Sequence, residues 1–176
     1  GVCIVTSGPG ATNLTTAIAT AYMDSIPMVA ITGQVKTHLI GSDAFQEADV
    51  TGITRPISKH NYLVKDIKEL GRIVKEAFYI ASTGRPGPVV IDLPVDVTTD
   101  TWDGDTPDKI NLPGYKPSYD GNVRQIKMAA EAINRSKRPV IYAGGGVISS
   151  NSSKQLIELA KKANLPVNTT LFALGV

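Results

Sequence analysis

The constraint that says most about this chain is an apolar strand that runs into a glycine turn and out again into a helix. Val2 to Val5 is a short, mostly β-branched run with Cys3 inside it, and Ser7-Gly8-Pro9-Gly10-Ala11-Thr12-Asn13 follows. Gly8 and Gly10 permit backbone angles and close approaches that a Cβ would block. Ala11 to Ala21 then resumes with small and apolar residues at helical spacing. A strand–turn–helix corner of this kind brings backbone N–H groups to a ligand. The plainer reading is a glycine turn that only packs strand against helix, and this segment alone leaves both open.

The rest of the chain keeps an alternating α/β rhythm. Met28 to Thr32 reads as a short strand after Pro27, and Gly33 to Asn61 as a long loop carrying short helical pieces. Long ordered loops are disproportionately functional. Asp66 to Ser82 has the clearest amphipathic pattern: Ile67, Leu70, Val74, Ala77, Phe78 and Ala81 form one stripe, with Glu76 off it. Asp66 suits the N-cap. Gly84 and Pro86 end that helix, and Val89 to Leu93 reads as a strand buried on both faces of a parallel sheet.

From Thr98 to Tyr119 Asp, Gly, Pro and Thr dominate without a helical period, which reads as an interdomain linker. A second α/β unit begins after it. Val123, Ile126, Ala130 and Ile133 form a helix stripe, Pro139 to Ala143 a strand, Gly144-Gly145-Gly146 a turn, Ser152 to Ala163 a helix, and Pro166 to Thr170 a strand. That order matches the opening of a Rossmann-like domain.

Composition excludes several function classes. A net charge of +2 with scattered basic residues gives no nucleic-acid footprint. No apolar stretch approaches a membrane span. A single cysteine, Cys3, allows no disulfide within the chain and reads as a packed thiol. The first residue is not methionine and lies against a strand, and the chain ends just after another, so it reads as an excised fragment whose targeting signals are open.

Several residues stand out chemically. Gly144, Gly145 and Gly146 leave a strand end bare enough to lie against a cofactor, but they depart from the G-x-G-x-x-G spacing, so a plain turn stays open. Arg85, between Gly84 and Pro86, has a backbone held in a turn that can aim its planar fork at phosphate, carboxylate or a ring edge. Serving helix carbonyls is the alternative. Phe45-Gln46-Glu47 places an aromatic, an amide and an acid in one loop, Glu47 reading as a capping or surface acid. His60 reads as a structural histidine and His38 as solvated.

With Ser25-Ile26-Pro27, Ile31-Thr32-Gly33-Gln34-Val35, Asp43-Ala44-Phe45-Gln46-Glu47, Lys59-His60-Asn61 and Gly84-Arg85-Pro86-Gly87-Pro88, the chain closely resembles the acetolactate synthase (acetohydroxyacid synthase) family of thiamine diphosphate enzymes. The likeness runs over essentially the whole chain, in the family's order. It implies an α/β fold: a parallel sheet flanked by helices, the incomplete pyrimidine-binding domain, over residues 1–100. A linker at 101–119 and the start of a Rossmann-like FAD-binding domain at 120–176 would follow.

The resemblance further implies site roles. Gln46 would reach thiamine diphosphate. Ser25, Arg85, Gly144, Gly145, Gly146, Thr170 and Leu171 would contact FAD, and Phe45 and Lys59 would line the substrate channel. No metal ligand and no catalytic acid or base falls in these residues. The family's activating glutamate belongs to a motif upstream, and its diphosphate–Mg²⁺ domain lies downstream, so the isolated fragment is expected to be inactive. The parent reaction would be decarboxylation of pyruvate and condensation with a second 2-keto acid in branched-chain amino-acid synthesis. Its subunits would form a homodimer or homotetramer with a possible small regulatory subunit, cytoplasmic if bacterial, with no nucleic-acid or membrane partner. Val95 and Lys36 stand where many members carry lysine and proline. A pyruvate oxidase or glyoxylate carboligase type, or a non-catalytic nucleotide-binding module, are the alternatives.

Overall fold

The computed structural model describes residues 1–176 and divides them into two compact units, Gly1–Tyr119 and Asp120–Val176. In chain order the elements of the first are β1 (Val2–Val5), α1 (Pro9–Asn13), α2 (Thr15–Met23), β2 (Met28–Gln34), α3 (Val50–Thr54), β3 (His60–Leu63), α4 (Ile67–Ser82), β4 (Pro88–Pro94) and α5 (Val95–Thr99). The second holds α6 (Val123–Arg135), β5 (Ile141–Ala143), α7 (Gly146–Ser149), α8 (Ser153–Ala163) and β6 (Val167–Thr169). Each is an α/β arrangement with parallel strands.

The sheet of the first unit runs β1-β2-β4-β3, parallel throughout, with Val29 opposite Val89 and Thr32 opposite Asp92. Alternation decides which face each side chain joins. Val89 and Ile91 of β4 pack with Val29, Ile73, Ala77 and Ile80 on one side. Val90 turns to the other side and packs with Ala30, Ile18, Ala11 and Val50. With both faces covered, β4 has to be a near-continuous apolar run, which is what Val89 to Leu93 displays. Each fully buried aliphatic side chain contributes roughly 1.5–3 kcal/mol.

Asp66 caps α4 by accepting from Lys68 N–H at 2.9 Å. The buried face of the helix, however, is Ile73, Glu76, Ala77, Ile80 and Ala81, while Phe78 is 47% exposed. Glu76 lies inside the buried face because Arg72 and the Tyr62 hydroxyl satisfy its carboxylate there. The helical stretch expected over Ala11 to Ala21 is two helices that meet at Leu14. The expected loop over Gly33 to Asn61 does carry short helical pieces, Thr37–Leu39, Val50–Thr54 and Arg55–Ile57. Its ends are strand instead: Gly33 and Gln34 finish β2, and His60 and Asn61 open β3, an edge strand that pairs only with β4 and takes its identity from that pairing.

Residues following α5 lie against α4. Thr106 packs on Gly71, Pro107 accepts from Lys75 Nζ at 2.7 Å, and Leu112 and Tyr115 pack on the same core cluster as α4.

In the second unit β5 and β6 pair in parallel, with Ala143 opposite Thr169. Asn122 caps α6 by accepting from Gln125 N–H at 3.2 Å. Of its apolar stripe only Ile133 is half-buried; Val123 and Ile126 are exposed, since a two-stranded sheet offers little apolar surface to cover them. Residues 171–173 form a 3-10 turn after β6.

Candidate cofactor-binding corner

The carboxyl end of β1 leads into Gly8, whose φ is +48°. A Cβ there would sit 2.2 Å from the Gln46 carbonyl oxygen, so only glycine lets the turn touch the loop that carries Phe45 and Gln46. The loop is shaped in turn by Glu47, whose carboxylate accepts from the Gly41 N–H and, at 3.0 Å, from the Ala44 N–H. Those bonds, Gly41 foremost, hold the Glu47 carboxyl below the usual carboxylate range. Asp43 and Gln46 both adopt positive φ, at 56° and 59°. For non-glycine residues such backbone is sparsely populated and clusters at functional sites. Phe45 is 89% exposed, and Gln46 is exposed beside it.

A polar group that sequence reasoning missed lies beneath this loop. Asp92, 2% exposed on β4, accepts from Thr32 Oγ1 at 2.7 Å and from Gln34 Nε2 at 2.9 Å. Gln34 Nε2 also donates to the Ala48 carbonyl at 2.9 Å, and Gln34 Oε1 accepts from Val35 N–H at 2.8 Å. Burial pushes the Asp92 carboxyl up to about 6, against the pull of those two donors. The available signal was an acid inside an apolar strand, facing a Thr-x-Gln pair on a neighbouring one.

Ser25 and Arg85 are brought together. Arg85 Nε donates to Ser25 Oγ at 2.7 Å, and Nη2 donates to the Tyr22 and Met23 carbonyls at 3.2 and 3.0 Å. The guanidinium also lies 5.9 Å from the centre of the Tyr22 ring. Thus Arg85 does serve helix carbonyls, but those at the end of α2 rather than of α4, the helix that precedes it. Its Nη1 takes no part in these bonds and stays available to an anion. Tyr22, Ser58, Lys59, Arg85 and Pro86 line an open cavity of about 260 Å³ here.

Lys59 spends its ammonium at the end of α4. It donates to the Ile80 carbonyl, to the Thr83 carbonyl at 2.8 Å and to the Tyr115 hydroxyl at 3.1 Å. His60 stacks edge-on to Tyr62, and burial holds its imidazole below the ordinary value, with Glu76 opposing. His38 is exposed. Glu76 is bound to Arg72 and Tyr62 and Glu47 to its own loop, so neither carboxylate is free to act as an acid or base.

In the second unit, Cβ atoms built on Gly144 or Gly146 would meet nothing within 4 Å, whereas one on Gly145 would press on Phe172. The bare backbone at Gly144 and Gly146 is therefore not demanded by packing within the unit. Thr170 N–H donates to the Ala143 carbonyl at 2.9 Å, which seats Thr170 and the exposed Leu171 beside the glycine turn. No helix is long and apolar enough to cross a membrane.

Two family models match in chain order. Residues 1–53, which include Gly8, Ser25 and Gln46, match the thiamine pyrophosphate enzyme N-terminal TPP binding domain. Residues 126–176, which include the three glycines, match the central domain of the same enzymes. Over 99% of its length the chain is 56% identical to the acetolactate synthase large subunit of Buchnera aphidicola, of which it covers 31%. It is likewise 53% identical to that of Corynebacterium glutamicum, covering 28% of it. A probable acetolactate synthase large subunit from Methanocaldococcus jannaschii is 56% identical, with 30% of its length covered. The chain thus spans about 30% of the relatives it matches. It belongs to the thiamine pyrophosphate enzymes and is similar, over nearly all of its residues, to their acetolactate synthase large subunits.

Proposed function

We propose that this chain supplies the pyrimidine-binding side of the thiamine diphosphate site, and part of the FAD contacts, of an acetolactate-forming enzyme. The observation that carries this reading is the contact between Gly8 and Gln46. Two segments of the domain that binds thiamine diphosphate in matching enzymes converge at the carboxyl end of a parallel sheet, where α/β proteins place ligands. A Cβ at Gly8 would close that corner, and Gln46 presents an exposed amide beside it, so the residues suit a polar heterocycle. Bound thiamine diphosphate supplies the electron sink for loss of CO2 from pyruvate and transfer of the remaining two-carbon unit to a second 2-keto acid. The residues here bind and orient: the Gly8 turn shapes the corner, Gln46 offers an amide, and exposed Phe45 gives an apolar wall to the substrate path. Lys59 is read as lying along that path behind its bonds to Thr83 and Tyr115.

FAD suits the chemistry of two further places. Arg85, oriented by Ser25, keeps part of its fork for an anion. The bare backbone of Gly144 and Gly146, with Gly145, Thr170 and Leu171 beside it, suits close approach of a nucleotide. Mg²⁺ would take ligands from outside these residues. The working enzyme is read as a cytoplasmic homodimer or homotetramer, where bacterial, with a possible small regulatory subunit. The chain by itself is read as inactive, since Glu47 and Glu76 are committed elsewhere.

The test is acetoin colorimetry on a full-length synthase carrying residues 1–176, with pyruvate, thiamine diphosphate, Mg²⁺ and FAD. Acetolactate formation that falls in Gln46→Ala is the expected result. Hydrogen peroxide in place of acetolactate would move the reading to a pyruvate oxidase. Absence of any thermal shift with thiamine diphosphate and FAD would make it a non-catalytic module.

A further inference from the structure

The loop that presents Gln46 is tied within itself by Glu47, but it is also held from outside. Its backbone is left-handed at Asp43 and at Gln46, a conformation that aspartate tolerates but that is strained for glutamine. Gly8 bears on the Gln46 carbonyl from one side. From below, the loop is tied to the sheet two residues later, where the Ala48 carbonyl accepts from Gln34 Nε2 at 2.9 Å. Gln34 is 5% exposed and its amide is fully committed: one hydrogen to Ala48, the other to Asp92 Oδ2 at 2.9 Å, and its oxygen to the Val35 N–H. Turning that amide over would set its oxygen against two acceptors, the Ala48 carbonyl and the Asp92 carboxylate. Asp92 therefore fixes which way Gln34 points, and Thr32, donating to the other carboxylate oxygen at 2.7 Å, fixes Asp92.

We propose that Gln34, oriented by Asp92, is a positioning residue that aims Gln46 at the thiamine diphosphate site. The inference rests on the reading of Gln46 as a thiamine diphosphate contact and adds to it the chain of bonds, from Thr32 through Asp92 and Gln34 to Ala48, that would hold the contact in place. A residue that merely stabilises the sheet would weaken cofactor binding whether or not Gln46 is present. One that acts through Gln46 would weaken it only when Gln46 is present.

The experiment is a double-mutant cycle in a full-length synthase carrying this segment, read as the Kd of thiamine diphosphate for apoenzyme by calorimetry. Gln34→Met removes the amide while nearly keeping its volume, and is combined with Gln46→Ala. Gln34→Met alone should weaken binding about tenfold, and should add less than about twofold in the Gln46→Ala background. Hydrogen exchange of amides 41–48 should accelerate in Gln34→Met while the strand amides stay protected. An unchanged Kd in Gln34→Met, additive losses, or loop exchange as slow as in the parent would each overturn the anchor while a Gln46→Ala loss stands. A Gln46→Ala variant that binds thiamine diphosphate normally would instead overturn the reading of Gln46, and the aiming role with it. Should Gln34→Met not fold, Asp92→Asn, which keeps the shape and removes the charge that orients the amide, carries the same cycle.

Discussion

Arg85 Nε and Ser25 Oγ meet at 2.7 Å across 60 residues of sequence, which fastens the turn after α4 to the end of α2. Ser25 itself has φ of 59°, so the serine is held in a backbone conformation that glycine would adopt without strain. The pair has two functions that separate experimentally: it closes off the α2 carbonyls, and it sets the direction of a guanidinium with donors to spare.

If that guanidinium contacts FAD, Arg85→Ala in a full-length synthase carrying this segment should weaken FAD binding by about 1.5–3 kcal/mol, roughly 10- to 150-fold. Arg85→Lys should recover only part, because a point charge cannot replace the fork. Ser25→Gly keeps the charge and removes one of the three bonds that aim it, so it should give a smaller loss than Arg85→Ala. Flavin fluorescence titration measures all three. Normal affinity in Arg85→Ala would leave the residue a helix-end clamp only.

Asp92 predicts a pH dependence of stability. Burial raises its folded pKa to about 6, above the ordinary aspartate value, with Asp49 adding to the rise and Thr32 and Gln34 opposing it. The folded state therefore binds this proton more tightly than the unfolded state, and stability is lost as pH rises from about 4 through 6. The full difference is on the order of 2–3 kcal/mol. Asp92→Asn has no such proton, so unfolding free energies of parent and variant in urea should diverge across that window, the parent losing ground toward pH 7. Parallel pH profiles would show that Asp92 stays charged throughout.

Glu76 is 3% exposed and accepts from Arg72 Nη1 at 2.8 Å and from the Tyr62 hydroxyl at 3.0 Å. Either substitution at Glu76 leaves the partly exposed Arg72 without this partner, so alanine and methionine differ mainly in the cavity that alanine leaves. Glu76→Ala should therefore destabilise the chain by about 2–4 kcal/mol, through lost bonds and a cavity. Glu76→Met should cost markedly less. Equal losses in urea denaturation would mean that the lost carboxylate bonds, not packing, set the effect.

What the sequence made legible were features written in local residue order. β1 follows from a β-branched run, the start of α4 from Asp66, and β4 from an apolar run too short for a helix. Glu76 was misassigned because periodicity sorts charges outward, and only its neighbours Arg72 and Tyr62 make burial tolerable. β3 escaped because His60-Asn61-Tyr62-Leu63 is a polar edge strand whose identity comes from pairing with β4. The Asp92–Gln34 link and the Arg85–Ser25 link join residues 58 and 60 apart, and such contacts leave no local period to read.

The exposure of Phe45 at 89%, in a loop whose backbone is otherwise well tied down, predicts that this loop completes a surface on a second subunit. An ordered loop that turns a large aromatic outward gains nothing from water and would gain from an apolar partner. In the proposed dimer Gln46 would then serve a thiamine diphosphate whose diphosphate end is held by the other subunit. Two inactive synthases carrying this segment should complement each other. One has Gln46 and the activating glutamate replaced, the other the diphosphate-binding aspartate that the family resemblance places outside these residues. Random mixing puts about half of the dimers in the mixed form, each with one intact site. Co-expression with separate tags, tandem purification and acetoin colorimetry read the result, and activity near half that of the intact dimer is expected. Mixed dimers as inactive as either parent would show that Gln46 serves a site within its own subunit, and Phe45 would need another partner.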